Sequence, residues 1–143
     1  ERLPVMVHAE WNRQLMISVP NTVGTLAEVT SAISSSGINL VALCAYSVEN
    51  TVAIMFVTED NNAARKILEE QGCQVREEEV ILLSLENKPG ALQTVTNRLA
   101  EAGVDLKLIY GSVDKDSKTS RLILIAESNL DAMMIIKTQL ERG

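Results

Sequence analysis

Aromatic side chains are scarce: one tryptophan, two tyrosines and one phenylalanine make up 3% of 143 residues. Single-stranded nucleic acid is held largely by stacking on such rings, and a phosphate backbone needs a positive field that a net charge of −6 does not supply. Nucleic acid is therefore not an expected partner. Histidine is rarer still. His8 stands alone, which leaves a Ser/His/Asp triad without material elsewhere in the chain. The two cysteines, Cys44 and Cys73, show neither a CxxC motif nor metal-ligand spacing and read as reduced structural thiols, so no metal or cofactor is expected. No apolar run approaches the roughly 18 residues needed to span a bilayer, and "ERLPVMVHAEW" has neither a long apolar stretch nor a small-residue cleavage site. A cytoplasmic location without membrane contact is the expectation.

What is abundant is aliphatic: 46% of the residues are hydrophobic, ample for a core. Their arrangement repeats. A shift of 66 positions, the distance from Ser18 to Ser84, also aligns Asn21 with Asn87, Gly24 with Gly90, Leu26 with Leu92, Val29 with Val95, Gly37 with Gly103 and Leu40 with Leu106. Coincident turn glycines and core spacings mark a duplicated unit.

Each copy opens with a strand, "QLMISV" or "VILLSL", followed by a helix. Leu26, Val29 and Ile33, and in the second copy Leu92, Val95 and Leu99, recur at i, i+3 and i+7 as one apolar stripe. Gly37 and Gly103 stop the helices. Two strands joined by a turn come next in each copy, at Glu49–Asn50 and in "DKDSKT". Second helices follow, one capped at Asp60 or Asn61 and burying Ala64, Ile67 and Leu68, the other starting near Asn129 and burying Leu130, Met133, Ile136 and Leu140.

Strand, helix, strand, strand, helix, strand is the split βαβ order, an antiparallel sheet with helices on one face. The expected fold is thus α+β, with two ferredoxin-like βαββαβ units of about 65 residues packed side by side, since units so small bury little surface alone. The boundaries fall at 14–79 and 80–143, preceded by a segment 1–13. Nothing after Leu140 supplies a closing strand for the second unit. "LPVMVHA", Leu3 to Ala9, is expected to fill that vacant edge, because an open apolar edge invites aggregation.

In both "VPNTVGTL" and "LENKPGAL" a strand ends near an asparagine, a glycine lets the backbone bend, and a helix starts at once. The first amides of a helix have no internal acceptor and carry partial positive charge, a seat for a carboxylate. "SLENKPGALQTVTNRLAEAGVDLKLIY" closely resembles the ACT domain family, ligand-sensing modules that bind amino acids and regulate metabolic enzymes. "SVPNTVGTLAEVTSAISSSGINLVALC" is similar to a second, more divergent member: Val23 stands where the family pattern has proline, and Pro20 comes earlier.

The resemblance implies two ligand sites, each between the turn of one unit and the second strand of the other. One would use Asn87, Lys88, Pro89, Gly90, Ala91 and Leu92 with Ile38, Asn39 and Leu40. The other would use Asn21, Thr22, Val23, Gly24, Thr25 and Leu26 with Val104, Asp105 and Leu106. Asn87 facing Asn39 offers donors and acceptors without net charge and suits a zwitterion; Asp105 facing Asn21 opposes a nearby carboxylate. The Asn87 site is therefore expected to be the tighter.

Other motifs carry less. Asp114 and Asp116 lack the glycine and the terminal glutamate of a calcium loop. Adjacent glutamates in "REEE" point to opposite faces of a strand. Trp11 is expected to anchor the N-terminal segment by packing, and Met133 with Met134 to fill core. The sequence thus points to a non-catalytic regulatory protein that binds a small amino acid, with a metabolic enzyme or regulator as partner and a homo-oligomeric assembly. The alternative is a structural or oligomerisation module that holds no ligand.

Overall fold

The computed structural model describes residues 5–112 and 115–141. Expectations placed on Leu3, Pro4 and Asp114 lie outside the described residues. The elements run β1 (Val7–Pro20), α1 (Thr25–Ser34), β2 (Leu40–Val48), β3 (Thr51–Thr58), α2 (Asn61–Glu70), β4 (Arg76–Glu86), α3 (Ala91–Glu101), β5 (Leu106–Ser112), β6 (Thr119–Ala126) and α4 (Asn129–Ile135), which continues through a π-helical turn, Ile136–Leu140. The fold is α+β, with six strands and four helices among the described residues. No helix among the described residues is long and apolar enough to cross a membrane.

The chain divides into two compact units. The first is Arg13–Glu78; the second joins Glu1–Asn12 to Glu79–Gly143. Strands β1 and β4 each contribute residues to both.

In the first unit β3 lies between β1 and β2 and pairs antiparallel with each, Leu15 opposite Phe56 on one side and Leu43 opposite Phe56 on the other. Alternation sends Leu15, Ile17, Ile54 and Phe56 to one face. There they meet Val29 and Ile33 of α1 and Ala64 and Leu68 of α2 in one buried cluster. Side chains of this size gain about 1.5–3 kcal/mol each from full burial. Met55 and Val57, on the opposite face of β3, are buried too, as its unbroken apolar run "VAIMFV" requires.

The second unit repeats the plan, with β6 between β4 and β5. Gly111 is obligatory on β5, because a Cβ there would lie 2.4 Å from Leu122 Cδ2 and 2.5 Å from the Arg121 carbonyl. Val7 and Ala9 are buried in this unit's core with Ile81, Leu83, Val95, Leu124 and Ile136, and the Glu86 amide donates to the Met6 carbonyl at 3.0 Å. The segment before Arg13 is thereby a β4 neighbour in this unit.

Glu141 fastens that segment to the end of α4. Its carboxylate accepts the Ala9 amide at 3.0 Å, pairs with Lys137 at 2.8 Å and lies 3.3 Å from His8 Nδ1. Partial burial pushes its pKa up. The Lys137 hydrogen bond, the Ala9 amide and the charges of Lys137 and His8 together outweigh this, and the pKa falls below its ordinary 4.5.

Several side chains lie elsewhere than the sequence suggests. Leu26, Leu92 and Leu130 are exposed, at 39%, 40% and 62%. The helix faces are rotated because α3 presents Ala91, Val95 and Leu99 to its core, an i, i+4, i+8 row, while α4 presents Ala132, Met133, Ile136 and Leu140. Small alanines take the close contacts and the leucines beside them turn outward. Trp11 is 44% exposed rather than a buried anchor, and Met134 is exposed as well. Ile67 is half-buried.

Two stability outcomes follow. Phe56→Ala is expected to cost about 3–5 kcal/mol in chemical denaturation, the range for emptying an aromatic site in a packed core. Because the folded Glu141 pKa lies below its unfolded value, its stabilisation is full above pH 4.5 and is lost as pH falls through the folded value. Glu141→Gln should therefore lower the melting temperature at pH 7 and flatten its decline below pH 4.5.

Candidate functional site

The bends between β1 and α1 and between β4 and α3 share one hydrogen-bond scheme. Asn21 N–H donates to the Asn50 carbonyl at the tip of the β2–β3 hairpin, and Asn87 N–H to the Lys118 carbonyl at the tip of β5–β6. Thr22 and Lys88 amides reach back to Pro20 and Glu86; Thr25 and Ala91 amides reach Thr22 and Lys88; Glu28 and Thr94 amides reach Gly24 and Gly90. Between these last two rungs the helix amides of Leu26 and Ala27, and of Leu92 and Gln93, have no carbonyl one turn behind them to accept. Gly24 and Gly90 make the bend possible, with φ of 90° and 86° at the helix caps, a region that costs an L side chain roughly 1–2 kcal/mol.

A second duplicated device ties each unit's strands together at the end opposite its bend. Asn61 Oδ1 accepts the Thr58 amide at 3.0 Å while its Nδ2 donates to the Arg13 carbonyl at 2.8 Å. Asn129 does the same with Ala126, at 2.8 Å, and Glu79, at 3.0 Å. Each asparagine ties the start of a unit's first strand to the end of its third. The helix caps are the neighbouring Asp60 and Ser128, whose side chains accept from the Ala63 and Asp131 amides.

The two bends differ in what their side chains do. Asn87 Nδ2 donates to the Ser117 carbonyl at 2.8 Å, and Lys88 folds back onto Glu86 at 2.9 Å. That hydrogen bond, followed by the one from the Met6 amide, lowers the Glu86 pKa. Ala91 is buried, whereas Pro89, Gly90 and Leu92 are exposed. At the first bend Thr22 and Thr25 hydroxyls meet at 2.8 Å, and Thr25 also donates to the Thr22 and Pro20 carbonyls. The Asn21 side chain is exposed and has no hydrogen-bond partner among the described residues. Val23 stands fully in solvent.

Within the first unit, Asn21, Thr22, Gly24, Thr25, Leu26 and Ala27 line one side of an open recess of about 470 Å³; Ala45, Tyr46, Ser47 and Val52 line the other. Ile38, Asn39 and Leu40 instead share a smaller recess of about 300 Å³ with Thr30, Ser31, Ile33 and Ser34 of α1, and Asn39 Nδ2 donates to Glu59 at 3.3 Å. In the second unit Val104 and Leu106 are half-buried and Asp105 is exposed, its carbonyl accepting the Glu127 amide. Tyr46, Ser47 and Val52 were not legible as lining residues in the sequence. The bond from Asn21 to the hairpin tip brings them there, since Val52 pairs with both Val19 and Ser47.

Residues 13–72 match the ACT domain family model. The match falls on the first unit, whose bend departs further from the family pattern. No curated protein matches the chain. Among solved structures, a protein from Bacteroides thetaiotaomicron is similar at 26% identity, covering 93% of this chain and 88% of that chain, with a TM-score of 0.82. The ligand-free regulatory subunit of aspartate kinase from Thermus thermophilus is similar at 16% identity, 94% and 97% coverage and a TM-score of 0.65. Aspartokinase III of E. coli, in complex with lysine and aspartate, is similar at 18% identity and a TM-score of 0.55, over 94% of this chain and 32% of that one. The last two likenesses, at such identities, speak to the ACT-type fold alone.

Gly24→Ala and Gly90→Ala, for which an added Cβ meets nothing within 4 Å, are each expected to lose about 1–2 kcal/mol from backbone strain alone. Urea titration of the two variants checks it.

Proposed function

We propose that the chain is a non-catalytic regulatory module that binds a free amino acid at its strand-to-helix bends and passes the bound state to a metabolic enzyme. The observation that carries this reading is the first bend. It presents the unpaired amides of α1, the unengaged side-chain amide of Asn21 and the open recess beside them. A ligand carboxylate is met by the helix amides and an ammonium by the Asn21 carbonyl oxygen. The ACT match over this unit supports an amino-acid ligand. Likeness in fold to an aspartate kinase regulatory subunit supports a regulatory partner.

The second bend is the weaker seat in this reading. Its asparagine amide and its lysine are already engaged within their own unit, so a ligand there would displace existing bonds rather than satisfy open ones. Bound ligand would favour one conformation of the chain over another, and a second copy of the chain extends that response to an assembly.

A thermal-shift screen of the twenty amino acids tests the proposal. At a ligand concentration about 100 times Kd, a binder gains about 2.7 kcal/mol of stability. Asn21→Ala should abolish most of that gain and Asn87→Ala little of it. A flat screen across all twenty would leave a scaffold that holds no ligand.

A further inference from the structure

Sulfur is concentrated at one level of the first unit's sheet. Of the chain's five methionines and two cysteines, three stand in a single row across adjacent strands. On β3, Met55 pairs with Met16 of β1 on one side and with Cys44 of β2 on the other. Paired residues point to the same face, with Cβ atoms about 4.5–5.5 Å apart between neighbouring strands. The face is the one turned away from α1 and α2, since the alternate residues Leu15, Ile17, Ile54 and Phe56 form the core beneath those helices. Met55 is buried, while Met16 and Cys44 are half-buried, so solvent reaches the row at its two ends.

The surroundings suit a soft cation rather than a hard one. The next rows on the same face hold Ser18, Ala53 and Tyr46 in one direction and Ala42 with Val57 in the other, and none of these carries a charge at neutral pH. Among the described residues no group of His, Cys, Asp or Glu is arranged to hold an ion. Ions that require oxygen or nitrogen donors therefore have no seat here, whereas thioether and thiolate sulfur are the donors that select Cu(I). Charge points the same way. Binding replaces the proton of the Cys44 thiol, which passes to water, and the resulting thiolate forms a neutral pair with a monovalent cation. A divalent ion would keep an uncompensated charge in a half-buried apolar place. The outer Cα atoms are two strand spacings, roughly 10 Å, apart. The flexible Met16 side chain and the Cys44 thiol can close that gap by leaning inward over Met55 around one ion.

We infer that Met16, Met55 and Cys44 form a site for a soft monovalent metal ion of the Cu(I) type, with the Cys44 thiolate as its anionic ligand and two thioethers completing it. The site is independent of any amino-acid seat at the bends. Cys73 packs against the helix-facing core instead and takes no part.

Competition with a chromogenic Cu(I) chelator, run without oxygen on the intact reduced chain, tests the site. The chain is expected to withdraw a single equivalent of Cu(I) from the chelator. Cys44→Ser should abolish the withdrawal, and Cys73→Ser should leave it unchanged. Met16→Leu and Met55→Leu, which keep side-chain volume, should each weaken binding by about tenfold or more. X-ray absorption at the copper edge of the unmodified chain should show a shell of sulfur alone, and it decides the matter even if a variant does not fold. No withdrawal of copper, a shell containing nitrogen or oxygen donors, or dependence on Cys73 would overturn the inference. Unchanged affinity in either leucine variant would overturn it too, since the row would then act through the thiol without its full set of thioethers.

Discussion

Everything at the two bends depends on a main-chain hydrogen bond that reaches outside the bend. The Asn21 amide is held by the carbonyl of Asn50, and the Asn87 amide by that of Lys118. A strand that ends without such a tether would fray, and the first turn of the following helix would have no fixed direction. With the tether in place, a glycine in the left-handed region sends the chain directly into the helix. Unpaired helix amides are common to all helices; here they are aimed by a bond to a hairpin tip. This constraint, rather than any side chain, makes the bend a candidate for binding.

The same tether explains why the two bends diverge in use. In the first unit the hairpin is a tight Glu49–Asn50 turn, with Glu49 at a φ of 54°, and the Asn21 side chain has no hydrogen-bond partner among the described residues. In the second unit the loop between β5 and β6 is longer, and it supplies both the Lys118 carbonyl for the Asn87 amide and the Ser117 carbonyl for its side chain. Extra loop length thus converts an open asparagine into an internally bonded one. Identical backbone schemes carry different chemistry because a neighbouring loop differs.

The duplicated order of elements was readable because turn glycines and β-rich runs are local signals. Gly24, Gly37, Gly90 and Gly103 all have positive φ, and each stands where the sequence places the start or stop of a helix. The apolar stripes were less legible. A pattern of i, i+3 and i+7 leucines is degenerate with one shifted by a residue, and only assembly shows that Ala91 rather than Leu92 meets the core. Asn61 and Asn129 look like caps in one dimension, yet they bridge strands and leave capping to Asp60 and Ser128. Tyr46 is invisible to periodicity for the same reason: its neighbours are fixed by strand register and by the hairpin tether, both of which are non-local.

The sharing of β1 between units has a consequence for biosynthesis. Arg13–Glu78 contains every strand and helix of its own unit in one stretch, so that unit can close as soon as it clears the ribosome. Val7 and Ala9 leave the ribosome earlier still but pack with Val95, Leu124 and Ile136, the last of these more than 120 residues later. Until translation reaches α4, this apolar stretch waits without its destination, and a nascent chain stalled before that point would display a sticky ribbon that chaperones, or another copy of itself, can seize.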